Sequence, residues 1–130
     1  MPAVRVYMEE GLYRALGEGA KKRVSRRLAE MVSSHLTVTP VEVEVDWAVF
    51  KMIENGADLQ VEIAFSTGKM FNPSRGLIIQ MTEAIVRWLL EEETLQIVGS
   101  VSVWAQPHPG AIWRTGKRHA ADRHGGSGSD

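Results

Sequence analysis

The 130-residue chain has no cysteine. That absence removes disulfides, thiolate metal ligands and cysteine nucleophiles together. A surplus of either charge is missing as well. Fifteen Lys and Arg stand against 16 Asp and Glu, for a net charge of -1, so nothing pulls the whole chain toward nucleic acid or an anionic membrane. No apolar run approaches the roughly 18 residues of a membrane-spanning helix. The first segment is too short and too mixed for a signal peptide. No phosphate loop, nucleophile elbow or acidic metal cluster occurs. His35, His108, His119 and His124 lack ligand-like spacing outside the C-terminal tail, so no metal is expected. The default is a cytoplasmic protein that meets neither membrane nor nucleic acid. What is present, 44% hydrophobic and 24% charged residues, suits one soluble domain with a real core.

The apolar residues change period along the chain. Val4, Val6 and Met8 alternate with Ala3, Arg5 and Tyr7, as a half-buried strand does. From Ala20 to Leu36, Val24, Leu28, Met31, Val32 and His35 fall on one helix face. Lys22, Arg23, Arg26 and Arg27 stand opposite and, with Lys21, read as a solvated basic face. Val41, Val43, Val45 and Trp47 alternate with Glu42, Glu44 and Asp46, a second strand. Asn55-Gly56 is a turn signal. Leu59, Val61, Ile63 and Phe65 alternate again. Asn72-Pro73 predicts the start of a helix, because Asn caps free amides and proline tolerates the first helical position. Leu77, Ile78, Met81, Ile85, Trp88 and Leu89 give that helix its stripe, and Val98 to Trp104 is a last strand ended by Pro107 and Pro109.

This order is written twice. Gly11 and Gly68 are 57 residues apart, and at the same offset Val4 meets Val61, Val6 meets Ile63, Val24 meets Met81, Leu28 meets Ile85, Val32 meets Leu89, Val41 meets Val98 and Trp47 meets Trp104. The expected fold is mixed α and β. Tandem β-α-β units (βαββαβ) form a four-stranded sheet with two helices on one face. Repeats at 2–54 and 58–113 make a single domain over 1–115, and 116–130 is a flexible tail. Apolar side chains on the other sheet face predict self-association through it.

Pro2 opens the first strand directly after Met1. Removal of that methionine would leave a secondary amine. An N-terminal amine has an ordinary pKa of about 7.7–8.0, and desolvation lowers it. A neutral amine at pH 7 can act as a general base, and the ring holds its lone pair in one direction. Leu59, at the matching place in the second half, offers no free amine.

The chain here resembles the tautomerase superfamily, and within it is most similar to the 5-carboxymethyl-2-hydroxymuconate isomerase group. The resembling stretches are "MPAVRVYMEE", "VEVEVDWAVFKMIENG", "AFSTGKMFNPSR" and "GSVSVWAQPHPGAIW". The resemblance implies a cofactor-free isomerase with Pro2 as general base. It implies a homotrimer with sites near subunit boundaries, and 1,3-keto–enol proton transfer on a 2-hydroxymuconate-like or pyruvoyl-type carboxylate. Some relatives add water and lose halide, or decarboxylate. The family often places arginines on the substrate carboxylates. Here Leu12 follows Gly11, Glu42 and Glu44 occupy the second strand, and Lys69 follows Gly68. Trp113, with Trp104 second, is the candidate wall that keeps the amine dry. Arg75, in the first turn of the second helix, and Arg114 are candidates for anion binding, each with a surface role as the alternative. Glu9 and Glu10 are either acid–base partners or a solvated strand end. Against the enzyme stands a non-catalytic or decayed binding module on the same or a ferredoxin-like fold, favoured by the residues at Leu12, Glu42 and Glu44.

Overall fold

Two β-α-β units build the chain, joined at their first strands. The computed structural model describes residues 2–53, 56–108 and 112–118. Strand β1 (Ala3–Glu9) is followed by a short helix α1 (Glu10–Ala15) and a long helix α2 (Glu18–Leu36). Strands β2 (Glu44–Phe50) and β3 (Leu59–Ser66) come next. Helix α3 (Arg75–Glu91), β4 (Ser100–His108) and β5 (Ile112–Lys117) complete the order. The strands form one sheet, β2-β1-β3-β4-β5. β1–β2 and β3–β4 are the parallel pairs of the two units, and β1–β3 is the antiparallel seam between them.

The core follows from the alternation. Val4, Val6 and Met8 of β1 and Leu59, Val61, Ile63 and Phe65 of β3 are buried on one sheet face. Val24, Leu28 and Val32 of α2 and Met81, Ile85 and Leu89 of α3 come down on them. Each such side chain contributes about 1.5–3 kcal/mol of burial. The offset of 57 therefore holds for the first strands and the long helices.

It fails at the second strands. Val4 pairs with Val45, but its counterpart Val61 pairs with Val103 and not with Ser102. A slip of one residue turns every side chain to the other face. Trp47 lies on the helix side, where its Nε1 donates to Ser25 Oγ at 2.7 Å. Trp104 lies on the open side, between buried Val103 and Ala105. The two tryptophans are not equivalent.

Other boundaries differ from the sequence expectations. Val41 is 89% exposed, in a single 3-10 turn begun by Pro40, and is not in β2. α1 was not foreseen. Glu9 caps it, accepting from the Gly11 and Leu12 amides at 2.9 and 3.0 Å, and Glu10 pairs with Arg14. Ser74, not Asn72, caps α3. Pro107 stands inside β4, just past the last β4–β5 pair, Ala105–Ile112, where its missing N–H leaves no ladder bond unmade. Asn55 of the expected turn is outside the described residues.

The sheet has five strands, not four, and the fifth runs into the segment expected to be tail. Gly116 of β5 lies under α3, where a Cβ would come 2.5 Å from Val86 Cγ1 and 2.8 Å from Leu90 Cδ1. Arg118 follows. Its backbone N–H donates to Gly99 O at 2.6 Å, and its guanidinium donates to the carbonyls of Val98, Leu89 and Leu95 at 2.9, 3.2 and 3.3 Å. A cation thus satisfies carbonyls left open where α3 ends. Residues 119–130 lie outside the described residues. The open sheet face is also less apolar than expected: Arg5, Glu62 and Asp46 share it with Tyr7, Phe50 and Trp104, Tyr7 and Phe50 stacking at 5.3 Å.

Arg118→Ala is expected to destabilise the fold by about 1–3 kcal/mol, because it strands three carbonyls. Arg118→Lys should recover only part, since an ammonium cannot reproduce the fork. Urea unfolding checks this: the midpoint should fall with an unchanged slope.

Candidate functional site

One end of the sheet gathers the start of β1, the start of β2 and the ends of β3 and β4. Pro2 is buried at this end, immediately ahead of β1. Its carbonyl accepts from the Glu44 amide at 3.3 Å, which extends the β1–β2 ladder to the proline. By the strand alternation its ring shares the helix face with Val4 and Val6. The antiparallel register, carried one step past Ala3–Ala64, sets Pro2 opposite Phe65. Phe65 packs edge-on against Phe71 at 5.9 Å. Pro2 is thus buried across from an aromatic pair at the end of β3.

The loop between β3 and α3 leaves from the same end. A Gly68 N–H to Phe71 O bond of 2.8 Å closes a tight turn, and exposed Lys69 and fully exposed Met70 stand on it. Ser74 Oγ then accepts from the Leu77 amide at 3.1 Å, and Arg75 begins α3. Lys69 and Arg75 therefore lie on the segment that leaves the sheet beside Pro2. Exposed Glu44 heads β2 there, and Glu42 accepts from Thr39 Oγ1 at 2.9 Å. Leu12 packs half-buried against the core from α1.

The remaining candidates separate. Trp104 is on the open face, in a cross-strand row with Arg5 and Glu62. Trp113 pairs with Trp104 along the backbone, and its side chain is outside the described residues, as is that of His108. Arg114 is turned to the helix side, its Nε 3.6 Å from Glu83 Oε1 of α3. Its charge is engaged within its own chain. Glu9 and Glu10 serve α1 as cap and ion pair. His35 is half-buried on α2, its Nδ1 2.8 Å from Met31 O.

The basic residues of α2 are not one solvated face. The Lys21 side chain is only 12% exposed; its Nζ lies 3.6 Å from the centroid of the Tyr13 ring and pairs with Glu18. Arg23 reaches across to Glu92 just beyond α3, Nε to Oε2 at 2.7 Å. That hydrogen bond raises the Arg23 pKa and holds the Glu92 carboxyl below its ordinary value. Burial works the other way on Glu92, and bonds from Thr94 reinforce the lowering. Heptad-style periodicity on α2 alone could not reveal this, because the partner lies 69 residues away.

No family model and no curated protein matches the chain. Solved structures do. A crystal structure of N1, a member of the cis-3-chloroacrylic acid dehalogenase (cis-CaaD) family, is similar with a TM-score of 0.63 and 13% identity, over 83% of this chain and 76% of that one. A fused 4-OT, a wild-type symmetric trimer, is similar with a TM-score of 0.51 and 13% identity, over 73% and 72%. Both belong to the tautomerase superfamily. The chain has the tautomerase fold. At this identity the likeness carries the architecture, not the chemistry.

The Arg23–Glu92 pair makes a pH prediction. A carboxyl lowered in the folded state stabilises it fully above the unfolded value of about 4.3. That contribution is lost as pH falls through the folded value. Urea unfolding between about pH 6 and pH 3 should show wild type losing more stability than Glu92→Gln. Equal losses would mean that the pair carries none of the acid sensitivity.

Proposed function

We propose that this protein is a cofactor-free tautomerase in which Pro2, freed by removal of Met1, is the general base. The observation that carries the reading is a buried proline at the head of β1 in a tautomerase fold. Met1 itself is outside the described residues. The apolar surroundings of Pro2 disfavour its protonated form. The neutral amine takes the hydroxyl proton of an enol acid and returns it to carbon, while the electron pair moves to give the ketone. Lys69 and Arg75 hold the substrate carboxylate. Lysine does so as a point charge, which suits one carboxylate better than a rigid pair. A pyruvoyl-type or 2-hydroxymuconate-like acid is the substrate class. Water addition to a haloacrylate is a second reaction to assay, since one similar structure belongs to a dehalogenase family. The assembly is a homotrimer, as one of the similar structures is. Trp104, on the open face, can then serve only across a subunit boundary.

A non-catalytic module on this fold is the second reading. It is favoured by Leu12, Glu42 and Glu44 in place of cations, and by Arg114 being held by Glu83.

Mass spectrometry of the purified protein should show Met1 absent, and sedimentation should show a trimer. Ketonisation of phenylenolpyruvate should be measurable, and its rate should rise with pH through one amine titration below about 8. Pro2→Ala should lower kcat/KM by about 10²–10⁴-fold. Lys69→Ala should act mainly on KM. Quantitative retention of Met1 in an active trimer would sink the proline mechanism.

A further inference from the structure

Between α2 and α3, away from the Pro2 end of the sheet, lies a groove of about 400 Å³. It is lined by Gly19, Lys22, Arg23, Arg26, Arg27 and Glu30 of α2 and by Trp88 of α3. Its length along α2, from Gly19 to Glu30, is about 16 Å. Four cations face one carboxylate within it. Lys22 and Arg26, and again Arg23 and Arg27, are like charges one turn apart, an arrangement that opposes the helix. Two of the four are compensated, Arg23 by Glu92 at 2.7 Å and Arg27 by Glu30 at 3.5 Å. Lys22 and Arg26 are exposed and carry no ion pair among the described residues.

The other wall is a half-buried tryptophan. Trp88 packs against the core from one side and borders the cationic groove on the other. An indole beside guanidinium groups suits a planar ring joined to an anion. The volume is within the range of small-ligand sites. Length is limited by charge: Glu92 is bound to Arg23 and Glu93 lies within its electrostatic reach. A strand of nucleic acid leaving the groove on that side would meet these carboxylates.

We infer that the α2–α3 groove binds a small phosphate-bearing aromatic of nucleotide size, with Arg26 and Lys22 on the phosphates and Trp88 against the ring. The site is separate from Pro2, and its occupation does not require the tautomerase reading.

ADP is the probe. Calorimetric titration of the full chain at low salt should show saturable one-to-one binding. Arg26→Ala and Lys22→Ala should each weaken it by about tenfold, and Lys69→Ala should leave it unchanged. Trp88→Leu should reduce affinity for ADP toward that for pyrophosphate, with folding checked by circular dichroism. Ketonisation by Arg26→Ala should equal wild type, so a failure here is distinct from a failure at Pro2. The inference is overturned if ADP does not bind saturably, or if Arg26→Ala binds it as well as wild type. It is also overturned if wild type binds pyrophosphate as tightly as ADP, or binds an oligothymidylate more tightly.

Discussion

Everything in this fold depends on the antiparallel seam between β1 and β3. A single β-α-β unit has one helix to cover a two-stranded sheet, and its first strand is left with an open edge. Joining β1 to β3 closes both first-strand edges at once, in a run from Ala3–Ala64 to Met8–Leu59. It also brings α2 and α3 side by side over the fully buried row of Val6 and Val61. Because the pairing is antiparallel, the head of β1 meets the tail of β3. Pro2 thereby comes to the same end as the loop carrying Lys69 and Arg75. No property of the proline alone would put it there.

The repeat was legible where burial is one-sided and strict. At the first strands and long helices, Val4, Val6, Met8, Val24, Leu28 and Val32 each have an apolar counterpart 57 residues on, because both copies fill the same core. It was illegible at the second strands, where apolar residues occur on both faces. Val41, Val43, Val45 and Trp47 form an unbroken alternation in sequence, yet Val41 sits in a 3-10 turn and is almost fully exposed. Trp47 and Trp104 match by letter and oppose by face. The fifth strand was hidden for another reason. Its helix-facing positions include Arg114, which pairs with Glu83, and Gly116, which must be small under Val86, so no apolar period marks them. Arg118 gives no local signal, since its partners are carbonyls brought together only by the finished fold.

The candidate site was legible in part for the same reason. Pro2 announces itself by position in the chain. The loop from Gly68 to Ser74 announces itself by turn residues. Which cation reaches which carboxylate is a tertiary fact. Of the cations nominated from the sequence, Arg114 is engaged by Glu83, while Lys69 and Arg75 share the Pro2 end.

That distribution bears on what a proline base could act on. Glu44 follows Pro2 across the ladder and Glu42 precedes it, so the β2 side of this end is negative, while the α3 side carries Lys69 and Arg75. An anionic substrate is attracted from the α3 side and repelled from the β2 side. A dicarboxylate long enough to span both would set one carboxylate against exposed Glu44, an unfavourable like-charge contact. A substrate with one carboxylate toward Lys69 and an apolar or aromatic remainder toward Phe65 avoids that conflict. For a proline base at this place, the charge pattern that the β1–β3 seam creates favours an arene-bearing monocarboxylate over a diacid.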